Sequence, residues 1–415
     1  MELPRFFRIE HSLFAERLDD IGGAVRLELR RVLPHLPPGS RIAVTAGSRG
    51  VANIPIILRA ICDELRAAGA DPFLVPAMGT HGGATAPGQV ALLASLGVTE
   101  ERVGAPIRAS MDVIVAGYTP SGIEVYMDRI ASQADGIVVV ERPKQHTDYD
   151  GRWESGMAKM MAIGLGKQAG AMRLHSLGSA GLRDTIPQAA RVILGRAPII
   201  AGLAILENGL GQTWRVVGVR PDELMERDAE LLLEMKAHSP SLPFAEADVL
   251  LVDYVGKDIS GTGMDTKTVG RMRIAGLPEP ERPRAGVLAA LDITDASHGN
   301  ASGVGLADVI TERLAGKIDH DSVRINTLAS GFWERAKVPM ALANDRDALE
   351  FALRFSGRPT SQARICRIRD TKSLSNLVVS EPLLVELDGP CQECGEYSLE
   401  FDAQGNLTDH ERFPG

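Results

Sequence analysis

Histidines follow two short apolar runs of this sequence, at points where a buried strand would end. His81 lies between glycines in GTHGG (79–83), after PFLVPA (72–77), and His146 lies in a polar loop after GIVVV (136–140). A histidine with an ordinary pKa of about 6.5 can act as a general base or acid near neutral pH. Two such loops suit a reaction that needs a base and an acid on opposite faces of one carbon atom. For each histidine, a turn residue without a catalytic role is the alternative.

The stretch from Lys144 to His175 is unusually rich in groups that can titrate. It holds two histidines, three lysines, two aspartates, one glutamate and five glycines. Glycine lets the backbone approach a ligand closely, and loops after parallel strands are where α/β proteins bind ligands. We therefore predict a binding or catalytic site here. His175 follows a predicted helix at about 155–169, and it could be a metal ligand or a helix-end residue.

No standard cofactor or metal motif accompanies these residues. GSRG (47–50) follows the predicted strand RIAVTA (41–46), and its backbone N–H groups with Arg49 could hold a phosphate or carboxylate. An ordinary strand–helix turn is the alternative, since the segment matches neither GxGxxG nor the Walker loop. The three histidines also lack a metal-ligand spacing such as HxxxH or HExxH.

Alternating strands and helices must position these loops. Over the first hundred residues, apolar runs alternate with helical patterns, which is typical of a parallel α/β sheet. The strands at 41–46, 72–77 and 136–140 should therefore present their loops at one carboxyl edge. Two more strand–loop units, 247–255 and 287–294, are predicted beyond a Pro- and Ser-rich segment at 238–243, and a helix is predicted near 305–315.

The predicted fold class is α/β, with two α/β domains of mostly parallel sheets and a cofactor cleft between them. We expect residues 1–240 to form the domain that carries most site residues, and residues 241–415 to form the domain that closes the cleft. A chain of 415 residues is long enough for two cores.

Composition excludes several classes of function. The net charge of −9 and the lack of a Lys/Arg-rich block disfavour nucleic-acid binding. Neither a secretory signal nor an apolar run of about eighteen residues is present, so we expect a cytoplasmic protein without a membrane span. Four cysteines do not form a disulfide framework, and the single CxxC at Cys391 and Cys394 lacks the second pair of a structural zinc site. A redox role for that pair stays open.

The order GSRG, GTHGG, strand, histidine loop and downstream Lys and His resembles the lactate racemase (LarA-like) family. The resemblance is clearest over residues 40–180 and weaker at 250–270. It implies a nickel-pincer nucleotide, a pyridinium-derived ring that carries nickel through two sulfur arms and a carbon. It also implies an isomerase that racemises or epimerises a 2-hydroxy acid by reversible hydride transfer, and enzymes of cofactor synthesis as partners.

The resemblance implies a role for individual residues. His81 and His146 match the two catalytic histidines, and His175 matches the nickel ligand. Lys159 matches the lysine that binds the cofactor covalently, because its interval to His175 equals the family's and so favours it over Lys167. Arg49 and Lys267 match the cations that hold the substrate carboxylate. The residues that match cofactor-binding positions are Ser48, Gly79, Thr80 and Gly82. Lys144 and Lys167 are then expected to be solvated or to face phosphate, and the glycines of the 144–175 stretch are expected to leave room for the bulky cofactor.

Two departures from the family concern the substrate. Ala46 stands where the family has an aspartate, and the segment between His146 and Lys159 is three residues longer, with ESGMAK in place of an FSGGRK-like run. A larger hydroxy acid, an aldonate or an aromatic 2-hydroxy acid therefore fits as well as lactate. An NAD-type dehydrogenase and a non-catalytic hydroxy-acid or anion-binding protein are the competing interpretations, and a homo-oligomer is left open.

Overall fold

The computed structural model describes residues 3–48 and 50–409. Within them the strands are β1 Phe6–His11, β2 Arg41–Ala46, β3 Asp71–Pro76, β4 Val113–Tyr118, β5 Glu124–Asp128, β6 Gly136–Glu141, β7 Ile199–Glu207, β8 Thr213–Val219, β9 Glu246–Val255, β10 Arg284–Ile293, β11 Val309–Thr311, β12 Met340–Leu342, β13 Ile365–Ile368, β14 Asn376–Ser380 and β15 Cys391–Tyr397.

The helices are α1 Ile21–Val32, α2 Ile54–Ala67, α3 Ala86–Ser95, α4 Glu100–Val103, α5 Arg129–Ser132, α6 Met157–Lys159, α7 Lys167–His175, α8 Gly178–Arg196, α9 Leu224–His238, α10 Thr266–Val269, α11 Glu312–Gly316, α12 His320–Ser330, α13 Asp345–Arg354 and α14 Glu381–Leu384. A π-helical turn, Met160–Gly164, follows α6, and single 3₁₀ turns occupy Gly82–Ala84, Asp295–Ser297, Val304–Leu306, Trp333–Ala336 and Thr360–Gln362. None of the helices in these residues is long and apolar enough to cross a membrane.

The chain divides into two compact units. One comprises Phe14–Ser239, and the other comprises Met1–Leu13 together with Pro240–Gly415. The expected boundary placed all of residues 1–240 in one domain, whereas β1 pairs antiparallel with β14 and β15 in the sheet of the second unit. Phe6 and Ile9 of β1 are buried in that unit's core, and this burial explains why the strand pairs there.

The Phe14–Ser239 unit is built on a five-stranded sheet in the order β3-β2-β6-β7-β8. The pairs β2–β3, β2–β6 and β6–β7 are parallel, and β8 is antiparallel to β7. Alternate residues of β2 enter two different cores, with Ile42 and Val44 on the face of α1 and α2, and Ala43 on the opposite face. A sheet covered on both faces explains why its strands read as continuous apolar runs.

The second unit is built on an eight-stranded sheet in the order β12-β11-β10-β9-β13-β14-β1-β15. Its strands from β12 to β13 are parallel, and the remaining pairs are antiparallel. The two sheets together confirm the predicted α/β class with mostly parallel strands.

The helix predicted near 305–315 is wrong. Those residues form the short strand β11, parallel to β10 with Ala289 opposite Val309, and only then the short helix α11. The sequence VIT is β-branched, and its burial on the sheet outweighs the helical pattern of the surrounding residues.

Candidate functional site

Three loops of the Phe14–Ser239 unit leave the carboxyl ends of neighbouring parallel strands. The loop after β2 contains Ser48, the loop after β3 contains His81, and the loop after β6 contains His146. Chain order reverses between β2 and β6, and ligands of open α/β sheets bind outside the carboxyl ends at such a reversal. Because β3 and β6 lie on either side of β2, the two histidine loops begin about 10 Å apart, two strand spacings.

The strands β2 and β6 separate at this reversal. Backbone pairing ends at Val44 and Val138, and beyond it the Thr45 hydroxyl accepts the N–H of Val140 at 2.8 Å. Thr45 is 1% exposed. The Thr45 side chain thus supplies the hydrogen bond that a backbone carbonyl would otherwise make, at the point where the two strands separate.

The His81 loop is held by a side chain of α3. Nε2 of Gln89 donates to the carbonyl oxygens of Gly79 at 3.1 Å and of His81 at 3.3 Å. Gly82 has φ of +65°, and a Cβ there would lie 2.6 Å from the backbone N of Gln89, so only glycine fits. Thr80 is half-buried in the same turn. Thr85 caps the start of α3, since its side chain accepts the N–H of Gly88.

The His146 loop is organised by Glu154, which is 2% exposed. Its Oε2 accepts the backbone N–H of His146 at 2.6 Å, and its Oε1 accepts that of Gly151 at 3.1 Å and the Lys236 ammonium at 2.5 Å. Charge-assisted hydrogen bonds of this kind are the strong ones in proteins. They fix the loop between β6 and α6, residues 142–156, which contains no helix or strand.

The ring of His146 is itself oriented. It stacks on the buried Tyr149 ring, with centroids 4.4 Å apart, and its Nδ1 accepts the backbone N–H of Asp148 at 3.1 Å. The Asp148 carboxylate lies 3.6 Å from the same nitrogen. An accepting Nδ1 places the proton of the neutral ring on Nε2. The neutral ring is therefore set to donate through Nε2.

Lys159 ends the short helix α6, and Asp228 of α9 lies at the start of that helix. The Asp228 carboxylate accepts the backbone N–H groups of Met157 at 2.9 Å and Ala158 at 3.0 Å. Burial raises the pKa of Asp228 to about 6, although the two N–H groups favour its charged form. Burial likewise raises the pKa of Glu141 at the end of β6, while the cation of Lys159 opposes that shift.

His175 is the last residue of α7, so the helix-end alternative describes its position. Its Nδ1 is buried and has no hydrogen-bond partner among the described residues. Burial lowers the pKa of His175, the Lys159 cation lowers it further, and the Asp148 carboxylate opposes both. Lys159, His175 and the His146 loop are thus close enough to act on one another electrostatically.

The glycines of the 144–175 stretch allow close packing, which corrects the expectation that they leave room for a ligand. A Cβ at Gly156 would lie 2.4 Å from Asp228, and one at Gly164 would lie 2.7 Å from the Ala77 carbonyl. Gly166 meets the Ala162 carbonyl in the same way. Gly156 and Gly164 therefore let the segment that bears Lys159 approach α9 and the residue after β3.

Lys167 is neither solvated nor phosphate-facing, contrary to the sequence-based expectation. Its side chain is fully buried, and its Nζ lies 2.9 Å from the equally buried Asp128 carboxylate. Burial lowers the pKa of Lys167, and Asp128 opposes that shift. The exposed lysine of the stretch is Lys144.

Arg49 and Lys267 are the two predicted substrate-binding cations. Arg49 lies outside the described residues; the loop beside it is anchored by Glu207, which accepts the Ala52 N–H at 2.7 Å and pairs with Arg142. Lys267 belongs to the second unit, where its backbone N–H donates to Asp265 in α10.

No group of three or more His, Cys, Asp or Glu side chains in the described residues could hold a metal ion. Cys391 and Cys394 lie on the edge strand β15, and Cys394 is exposed. A single histidine with an uncommitted ring nitrogen, as at His175, fits a metal whose other ligands come from a cofactor.

Sequence reasoning missed the residues that support these loops. Glu154, Asp228 and Gln89 contact backbone groups up to 71 positions away in the chain. In the sequence, each of them is visible only as a charged or amide residue on the apolar face of a predicted helix or inside a loop. Such a position does not reveal which backbone group the side chain binds.

No protein-family model and no curated protein matches this chain. Several solved structures resemble it, including the following two. The lactate racemase apoprotein from Thermoanaerobacterium thermosaccharolyticum is 13% identical, with a TM-score of 0.50 over 89% of this chain and 99% of its own. A Thermotoga maritima protein is 12% identical, with a TM-score of 0.49 over 68% of this chain and 72% of its own. The chain therefore shares the mixed α/β fold of the lactate racemase apoprotein.

Proposed function

We propose that this chain is a racemase or epimerase of a 2-hydroxy acid, dependent on a nickel-pincer nucleotide. The observation that carries the proposal is the buried Nδ1 of His175, which has no hydrogen-bond partner among the described residues and lies in a ring that feels the charges of Lys159 and Asp148. The fold shared with a lactate racemase apoprotein supports it.

Lys159 and His175 would hold the cofactor. Lys159 would provide the covalent attachment, and the neutral imidazole of His175 would ligate nickel, which its lowered pKa favours because a metal requires the unprotonated ring. The cofactor, when bound, supplies an electrophilic carbon that takes up hydride, so that no strong base is needed at the weakly acidic C2–H. The protein then has to move only the hydroxyl proton.

His81 and His146 would move that proton. Their loops flank the β2 loop on either side, an arrangement that suits one histidine for each face of the substrate. The protonated form of His146 would donate from Nε2 to a carbonyl oxygen, and the neutral ring of His81 would accept a proton from a hydroxyl. For the opposite enantiomer the two roles exchange.

The substrate carboxylate needs a cation. Arg49 and Lys267 remain the sequence-based candidates, and an Arg fork is well matched to a carboxylate. We propose no single substrate, because the two departures from the family, at Ala46 and in the longer loop, concern the substrate side.

The test is to produce the protein with its cofactor and to measure its intact mass and metal content. The chain is co-expressed with the enzymes of nickel-pincer synthesis, and intact mass and metal content are measured for the wild type, Lys159→Met and the exposed control Lys144→Met. We expect an adduct and about one nickel per chain in the wild type and Lys144→Met only. Racemisation of a panel of chiral 2-hydroxy acids should follow the adduct.

Absence of both adduct and nickel from the wild type would overturn the proposal. In that case, tight NADH binding without nickel would indicate the dehydrogenase. Binding of a hydroxy acid without turnover would indicate the non-catalytic binding protein.

A further inference from the structure

A buried lysine lies beneath the His81 loop. Lys167 opens α7, and its backbone φ of +52° is a left-handed conformation that side-chain-bearing residues rarely adopt. This conformation directs a long cationic side chain inward, where it is fully buried. A lysine in the protein interior requires partners for its charge and its three N–H donors.

Three oxygen atoms lie around the ammonium group of Lys167. Nζ of Lys167 donates to the carbonyl oxygen of Pro76 at 2.5 Å and to Oε1 of Gln89 at 3.4 Å, and it lies 2.9 Å from Oδ2 of Asp128. The acceptors come from the end of β3, from α3 and from the end of β5. Lys167 therefore joins three elements at the point where the histidine loop begins.

Gln89 links Lys167 to the His81 loop. It is fully buried, and while its Oε1 accepts from Lys167, its Nε2 donates to the carbonyl oxygens of Gly79 and His81. An amide fixed at one end by a cation presents its N–H groups in one direction only. The loop carbonyls on both sides of Thr80 are thus bound by one oriented side chain.

We propose that Lys167 and Gln89 are positioning residues for His81: the buried lysine orients the glutamine, and the glutamine fixes the backbone that carries the histidine. The placement of His81 follows from the contacts above, while its role in proton transfer rests on the proposed function. A purely structural ion pair would behave differently, since a buried pair can be replaced by neutral residues with little loss of stability.

The test separates stability from loop order. Lys167→Met/Asp128→Asn removes both charges together, and Asn keeps an oxygen to accept the Ala131 N–H as Asp128 does. Gln89→Glu keeps an acceptor for Lys167 and loses the donor to the loop. Leu65→Ala, in the core on the other face of the sheet, is the control for lost stability.

Amide hydrogen exchange is followed by mass spectrometry for the peptide spanning 78–84. We expect at least tenfold faster exchange in the double variant and in Gln89→Glu, and a rate within twofold of wild type in Leu65→Ala. Chemical denaturation should show the double variant to be no less stable than Leu65→Ala. Wild-type exchange of this peptide in both the double variant and Gln89→Glu would overturn the proposal.

Turnover supplies a separate readout. In the cofactor-loaded protein, the double variant should lower kcat at least tenfold with KM changed less than threefold, because the acid/base group is displaced while the substrate cation is not. If wild-type protein racemises nothing, the proposed function fails while the exchange result still decides the positioning role.

Discussion

The carboxylate of Asp228 accepts the backbone N–H of Ala158 at 3.0 Å, so a residue of α9 fixes the helix turn that ends at Lys159. The same carboxylate accepts the N–H of Met157, and a carboxylate at the start of a helix is favoured by the helix dipole. Gly156 beside it cannot be enlarged, because a Cβ would lie 2.4 Å from Asp228. The position of the candidate attachment lysine is therefore determined by another helix.

Asp228→Asn should change how stability depends on pH. The pKa of Asp228 is about 6 in the fold and 3.8 as a free group, so the wild type gains stability from its protonated form below pH 4 and loses it as pH rises to 6. The difference corresponds to about 3 kcal/mol. We expect the free energy of unfolding of Asp228→Asn, relative to wild type, to rise by most of that amount between pH 4 and pH 7.

Urea denaturation in a Trp333→Phe background measures this, because the remaining tryptophans, Trp153 and Trp214, lie in the Phe14–Ser239 unit. A difference between the two proteins that stays constant from pH 4 to pH 7 would contradict the raised pKa.

Lys159→Met should raise the pKa of His175. The ammonium of Lys159 lowers that pKa, and its removal leaves burial and the opposing Asp148 carboxylate. The histidine C2–H signal, assigned with His175→Gln, is titrated by NMR in both proteins without cofactor. Lys144→Met, at an exposed lysine of the same stretch, should leave the pKa within 0.2 of wild type, about the error of a titration. A pKa that stays the same or falls in Lys159→Met would refute the electrostatic coupling.

His81→Gln and His146→Gln should each abolish racemisation. Loss of a general acid or base costs roughly 10²–10⁴-fold in rate. The control is His35→Gln, at an exposed histidine that precedes β2 and so lies toward the opposite, amino end of that strand. The racemisation rate of each cofactor-loaded variant is measured by polarimetry. Full activity in either His81→Gln or His146→Gln would exclude the two-histidine scheme.

The same reaction in D₂O tests how the C2 hydrogen moves. A hydride route returns the original hydrogen, so the racemised product should contain no deuterium at C2. Incorporation that keeps pace with racemisation would instead indicate proton abstraction by a base.

Glu154→Gln should loosen the His146 loop and destabilise the protein by roughly 1–3 kcal/mol, because a buried charged acceptor of three hydrogen bonds is lost. Hydrogen exchange at His146 and Gly151 should accelerate in parallel. Glu226→Gln is the matched control, since Glu226 pairs with Arg152 on the exposed surface and such pairs contribute little. Equal effects of the two substitutions would count against an organising role for Glu154.

Cys394 should react with a thiol reagent in the native protein, and Cys62 and Cys366 should not. Burial raises the pKa of Cys62 to about 12 and also raises that of Cys366, so neither forms thiolate at neutral pH. Counting thiols before and after unfolding in denaturant measures this. Four fast-reacting thiols in the native protein would contradict the burial of Cys62 and Cys366.

Much of the fold follows from local pattern. The strands β2, β3 and β6 are apolar runs that end in glycine-containing loops, and their parallel pairing confirms the predicted common edge. The helices α2 and α3, which fall within the predicted alternation of strands and helices, likewise follow from helical periodicity. The local pattern failed at β1 and β11, because short strands acquire their place only from the sheet that they join.

The sequence by itself determined which chemistry-bearing residues follow which strands, since strand length, glycine position and parallel connection are local properties. It determined in this way that His81, His146 and Ser48 would lie at one edge. Only the tertiary structure decided what holds them there. The loops are held by contacts of Glu154, Asp228, Gln89 and Lys167 with groups that lie elsewhere in the chain. Burying a charged or polar side chain is costly unless it has such partners, and the partners come together only when the whole chain is packed.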